Sequence, residues 1–125
     1  EQEALVIRGQ YAEAGDAYRG ILADDPGNID ARMRLGALLE RECNDPEAAV
    51  QCYRVVRRLH PTPEQDWAAA NALIELHQRT GDVVRLRKEL LRVSHQYRAL
   101  PIGGETVRRL RLLAGVDTPA EQRGA

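Results

Sequence analysis

Phenylalanine is absent from this 125-residue chain, and tryptophan, methionine, serine and lysine occur once each, as Trp67, Met33, Ser94 and Lys88. A core without phenylalanine has to be assembled mainly from alanine, leucine and valine. Hydrophobic residues make up 43% of the chain and charged ones 30%, the profile of a soluble helical protein. No apolar run approaches the roughly 18 residues that cross a bilayer, so no direct membrane insertion is expected. No basic-then-apolar leader opens the chain, which starts at Glu1 without methionine. The expectation is a cytoplasmic-like soluble domain, a start at Glu1 being compatible with excision from a larger or membrane-anchored protein, and the compartment is left open.

Other absences narrow the chemistry. There is no Cys-x-x-Cys and no His-x-x-x-His, and His60, His77 and His95 are widely spaced, so no metal is expected. There is no glycine-rich phosphate loop, and no helical register joins a carboxylate to a histidine. The expectation is no enzyme and no cofactor. His77 falls on the apolar stripe of its helix and reads as a packed core residue. Cys43 and Cys52 are expected to be free thiols, because the end of one helix and the second turn of the next lie beyond the ~7 Å Cα separation a disulfide tolerates.

What is present is arginine, charge polarity and punctuation. Seventeen of the eighteen basic residues are arginine. Residues 1 to 50 hold eleven acids against five arginines, a net −6, whereas residues 51 to 125 hold thirteen bases against eight acids, a net +5. Such a division either orients partners or stacks copies head to tail, unless screening over about 8 to 10 Å removes it.

Stops and caps recur at Asp25-Pro26-Gly27-Asn28, Asn44-Asp45-Pro46-Glu47, Pro61-Thr62-Pro63-Glu64-Gln65, Thr80-Gly81-Asp82 and Pro101-Ile102-Gly103-Gly104. Proline is accepted in a helix's first turn but not in its interior, and Asn, Asp and Thr accept hydrogen bonds from the orphan amides there. Thr62 and Gln65 have the spacing of a capping box. Between these marks apolar residues recur three and four apart, as in Leu35, Leu38, Leu39 and Leu73, Ile74, His77, and no stretch alternates like a strand. The prediction is all helix, in antiparallel neighbours joined by short turns.

The rhythm is also a repeat. Gly9-Gln10-Tyr11-Ala12-Glu13-Ala14, then Tyr18, Ile21 and Asp25-Pro26, is echoed by Asn44-Asp45-Pro46-Glu47-Ala48-Ala49, then Tyr53, Val56 and His60-Pro61. The two prolines are 35 residues apart, close to the period of about 34 of one helical hairpin repeat. With Leu35-Gly36 in a first helix, Ala14 and Ala49 where paired helices touch and Tyr18 and Tyr53 one turn later, the chain resembles the tetratricopeptide repeat family over about residues 1–100. The resemblance implies an all-α, right-handed solenoid of two and a half to three hairpins. Repeats are expected at about 1–27, 28–62 and 63–101, with a capping helix at 104–115 and a tail at 116–125. Gly9 then marks a turn, and the first unit lacks half of its first helix. Arg32 replaces a large apolar residue of the family pattern. Leu86 and Leu90 replace the small and aromatic residues in the third unit, which is expected to pack differently.

In this family the first helices line a concave groove that takes a peptide or helix of a partner. By that resemblance the groove carries Met33, Arg34, Ala37, Glu40 and Arg41 from the second unit, and Asn71, Ala72, Glu75, Gln78 and Arg79 from the third. Each set recurs at i, i+1, i+4, i+7 and i+8 and falls on one helix face. The lysine and asparagine set with which some members grip a chaperone carboxylate is missing, since Lys88 lies on a second helix. Acids mix with bases along the stripe and stacking aromatics are lacking, so no nucleic acid is expected. The alternative role is self-association into a homodimer or larger array through the terminal helices, with Val107, Leu110 and Leu113 as its apolar seam.

Overall fold

The punctuation of the chain is the punctuation of the fold. The computed structural model describes residues 2 to 98 and 108 to 109, with side chains from Arg8 onward. Five α-helices follow one another among the described residues: α1 (Gln2–Asp24), α2 (Ile29–Arg41), α3 (Pro46–Val56), α4 (Pro63–Thr80) and α5 (Val83–Gln96). The expected stop at Pro101, the capping helix at 104–115 and the tail lie outside the described residues, apart from Arg108 and Arg109, which are helical.

Each start is capped as its residues dictate. The Asn28 carboxamide accepts from the Ala31 amide at 2.9 Å, and Asp45 accepts from the Ala48 amide at 3.2 Å. Asp82 accepts from the Arg85 amide at 3.0 Å. Thr62 and Gln65 close the capping box from both sides: the Gln65 amide donates to the Thr62 hydroxyl at 3.2 Å, and the Thr62 amide to the Gln65 side chain at 2.9 Å. Each such cap contributes about 1 kcal/mol.

The stops are equally local. Gly81, at φ 75°, ends α4. The amide of Asp82 reaches back to the His77 carbonyl at 3.0 Å and that of Gly81 to Gln78 at 3.3 Å. This paired closure needs a left-handed residue, which glycine supplies without strain. After α3 the chain tightens into a 3-10 turn, Arg57–Leu59, and His60 takes the left-handed conformation at φ 54° just before Pro61.

One expected boundary is absent. The repeat pattern puts a turn at Gly9, but α1 runs unbroken from Gln2 to Asp24. Arg8 and Gln10 flank Gly9, so no proline stops the helix and no Asp, Asn, Ser or Thr caps a new one. A lone glycine costs a helix only about 1 kcal/mol, and continuity wins.

The chain divides into two compact units, Glu1–Leu76 and His77–Ala125. In the first, α2 packs against both α1 and α3. Leu35, Leu39, Ala49, Val50, Cys52, Tyr53, Leu73 and Leu76 form its core, with Tyr18, Leu22, Met33, Ala48 and Ala72 packed on the edge. Gly36 lets two helices approach closely: a methyl group there would lie 2.6 Å from the Tyr53 ring. Full burial of a leucine or valine here contributes roughly 1.5 to 3 kcal/mol. Trp67 of α4 is half-buried, while Ala69 and Ala70 beyond it are fully covered.

In the second unit α5 buries Leu86, Glu89, Leu90, Val93 and Ser94. The apolar ones recur three and four apart, so one stripe faces inward. His77 is 3% exposed, in accord with its place on the apolar stripe of α4. Both cysteines are free, Cys43 exposed and Cys52 buried.

Candidate functional site

The face of α2 that the sequence singles out is built by the Asn28 cap, which sets the helix phase. Asp30 in the first turn pairs with Arg34 at 2.9 Å, four residues on. Arg34 lies beside that carboxylate and, secondarily, the Tyr18 hydroxyl, and both hold its guanidinium above the usual arginine range. Arg41 is exposed in the last turn, and Ala37 sits between the two arginines, half-buried.

Two members of the expected stripe have structural work instead. Met33 packs on the edge of the core. Glu40 accepts the Tyr53 hydroxyl at 2.8 Å. That contact and, more strongly, burial push the Tyr53 phenol far above its ordinary value.

On α4, Ala72 also packs against the core and Asn71 donates to Glu75 at 3.4 Å, with Glu75 exposed. Gln78 and Arg79 fall in the second unit, where Gln78 accepts from Arg109 at 3.0 Å and Arg79 is exposed. Val107, Leu110 and Leu113 lie outside the described residues.

Geometry adds what the stripe alone did not contain. Arg34, Ala37 and Arg41 line an open cleft of about 350 Å³ together with Leu38 and Glu42 of α2 and Tyr11, Ala14 and Tyr18 of α1. The α1 residues recur at i, i+3 and i+7, one face of the helix. The Glu42 carboxylate beside Tyr11 holds its phenol above the ordinary value. The signal for these tyrosines was already in the repeat, which marks Tyr18 as a helix-contact residue. Only the α1–α2 packing makes it a wall of a cleft.

A helical chain with these repeats is matched by the family profile of the tetratricopeptide repeat over residues 5–74. The chain belongs to the tetratricopeptide repeat family. Repeats of this family generally mediate protein–protein interaction, and the family is typically a non-enzymatic scaffold. No curated protein and no solved structure matches the chain. Among the described residues no helix is long and apolar enough to cross a membrane.

Proposed function

We propose that this domain is an adaptor that binds a segment of a partner protein, with the α2 face of Met33, Arg34, Ala37, Glu40 and Arg41 as its principal contact surface. The α4 stripe of Asn71, Ala72, Glu75, Gln78 and Arg79 is proposed as a second contact face. The observation that carries the reading is the cleft, where apolar and aromatic walls meet two arginines two turns apart. Met33 and Glu40 support that face from beneath rather than offering their side chains freely. Guanidinium groups hold carboxylates and peptide carbonyls through paired, charge-assisted hydrogen bonds.

The test is a comparative pull-down from a native extract using the wild-type domain and a variant carrying Arg34→Glu, Arg41→Glu and Arg79→Glu. All three arginines are exposed, so the fold should survive, as far-ultraviolet circular dichroism would check. Loss of a reproducibly captured partner is expected, and retention of every partner would sink the reading. Arg79→Glu alone reports on the α4 face.

A further inference from the structure

We propose that the outer face of α5 is a second docking surface, one that takes an acidic, amphipathic helix of a partner protein. It shares no residue with either stripe of the adaptor reading and goes beyond it, so either surface can fail without the other.

Helical spacing sets its outline. Leu86, Glu89, Leu90 and Val93 turn inward. On the opposite side Val84, Arg87, Lys88, Leu91 and His95 recur at i, i+3, i+4, i+7 and i+11, and all five are exposed. Arg98, also exposed, follows just past the helix end. Of the large apolar residues exposed among the described ones, three of four belong to α5: Val83 at 50%, Val84 at 65% and Leu91 at 45%. Helix stability does not ask for them there. A first turn favours acids, yet α5 opens on Val83, Val84 and Arg85 with none, and β-branched residues are among the weaker helix formers.

Charge selects the partner. Residues 77 to 98 hold six bases against two acids, a net +4. Both acids are already engaged, Asp82 by Arg85 at 3.4 Å and Glu89 by Arg92 at 3.3 Å. Among the described residues no carboxylate pairs with Arg87, Lys88 or Arg98. The stripe is apolar and positive with no negative group on it, so its complement is apolar and negative. The last segment of the chain is not that complement, since residues 99 to 125 carry four arginines against three acids, a net +1. An extended polyanion fits less well than a short segment. A membrane or nucleic acid spreads negative charge widely, and residues 1 to 50 carry a net −6 that it would repel.

The form of the partner follows from the backbone. Amides and carbonyls in the middle of α5 are paired within the helix, so a strand would find few partners, whereas a helix arrives with its own backbone satisfied. Val84 and Leu91 are seven residues apart, about 10 Å along the axis. Apolar residues at i and i+7 of a docked helix meet them, with carboxylates between and beyond.

The experiment uses the full chain and a defined probe: a fluorescently labelled, stapled, alanine-based helix with two leucines seven residues apart and glutamates between and beyond them. Stapling is needed because a short free helix is marginal in water. Anisotropy at 0.15 M sodium chloride, where screening acts beyond about 8 Å, is expected to show saturable binding. Arg87→Glu with Lys88→Glu should weaken it at least tenfold, and Leu91→Gln at least fivefold. All three residues are exposed, and glutamate and glutamine are good helix formers, so circular dichroism should show the fold intact. The same probe with lysine in place of glutamate should bind the doubly reversed variant and not the wild type, a rescue that loss of fold could not mimic. No saturation at ~1 mM peptide, or binding indifferent to Arg87→Glu with Lys88→Glu, overturns the proposal. So does tighter binding, lost in that variant, to phosphatidylserine vesicles or to polyuridylate, since the stripe would then serve a membrane or a nucleic acid. A dimer of the chain that excludes the probe and is lost in the variant makes a second copy the occupant, which overturns it too. Arg34→Glu with Arg41→Glu should leave the probe affinity unchanged, so the pull-down and this titration fail independently.

Discussion

Glycine 36 shows how one missing side chain decides a helix contact. In a helix interior, Gly→Ala ordinarily gains about 1 kcal/mol from backbone entropy. At Gly36 the added methyl would stand 2.6 Å from one ring carbon of Tyr53 and 3.0 and 3.1 Å from two more. That ring is buried and cannot swing aside cheaply. Overpacking of this kind costs about 1 to 3 kcal/mol, so Gly36→Ala should be destabilising on balance in chemical denaturation. Gly20→Ala, with nothing within 4 Å of the new methyl, should be stabilising by about 0.5 to 1 kcal/mol. The Tyr53 hydroxyl adds a pH dependence. Its folded value is raised by burial and then by the Glu40 carboxylate. Below the ordinary tyrosine value of about 10, both folded and unfolded chains keep the proton. Above it the unfolded chain releases the proton first, so stability falls with rising pH until the folded phenol also ionises. Tyr53→Phe should cost about 1 kcal/mol at neutral pH through the lost hydrogen bond. The gap to wild type should close as denaturation is followed above pH ~10; a constant gap would show that Tyr53 ionises normally.

Helix α1 is the element on which the sequence and the fold part company. As an uninterrupted helix it holds Gly9 in its interior, exposed and with open space where a side chain would grow. Gly9→Ala should therefore raise stability by about 0.5 to 1 kcal/mol, whereas a left-handed turn at this position would make the same change destabilising. Thermal unfolding with and without the substitution reads the sign directly. The contrast with the other boundaries explains which parts of the architecture were legible. Asn28, Asp45, Thr62 with Gln65, and Asp82 act on amides three residues away, so their effect is written in a window of about four residues. Gly81 between Thr80 and Asp82 is similarly local. A bare glycine has no such direction, since it marks turns and tolerates helices alike. Only the lack of a neighbouring cap separates the two at Gly9. For the candidate site, the α2 stripe was visible as helical spacing, but Met33 and Glu40 turned out to be tied to the core and to Tyr53. Tyr11 and Tyr18 entered because α1 packs on α2, a contact between elements that no local pattern encodes. Cys43 and Cys52 are free, one exposed and one buried, as the helix spacing between them leads one to expect.

At the level of the whole molecule, association of copies through charge and association through an apolar seam would answer differently to ionic strength. The first is charge: the first 50 residues carry a net −6 and the remaining 75 a net +5, although the total is only −1. Charges of this kind act over about 30 Å at 0.01 M salt but only about 8 Å at 0.15 M. Head-to-tail association driven by them should fade as salt is added. The second is the apolar set Val107, Leu110 and Leu113, whose burial would be nearly insensitive to moderate salt and slightly favoured by salting-out ions. An adaptor whose function is to seat a partner segment should be a monomer of 14.0 kDa by multi-angle light scattering at 0.15 M sodium chloride, across protein concentrations from about 1 to 100 μM. A dimer seen only at 0.01 M would report the charge division and leave the adaptor role intact. A dimer that persists at 0.15 M and above, and is lost on Leu110→Glu, would transfer the interaction role to the C-terminal seam. Partner capture by the arginine-bearing face would then be secondary to self-assembly.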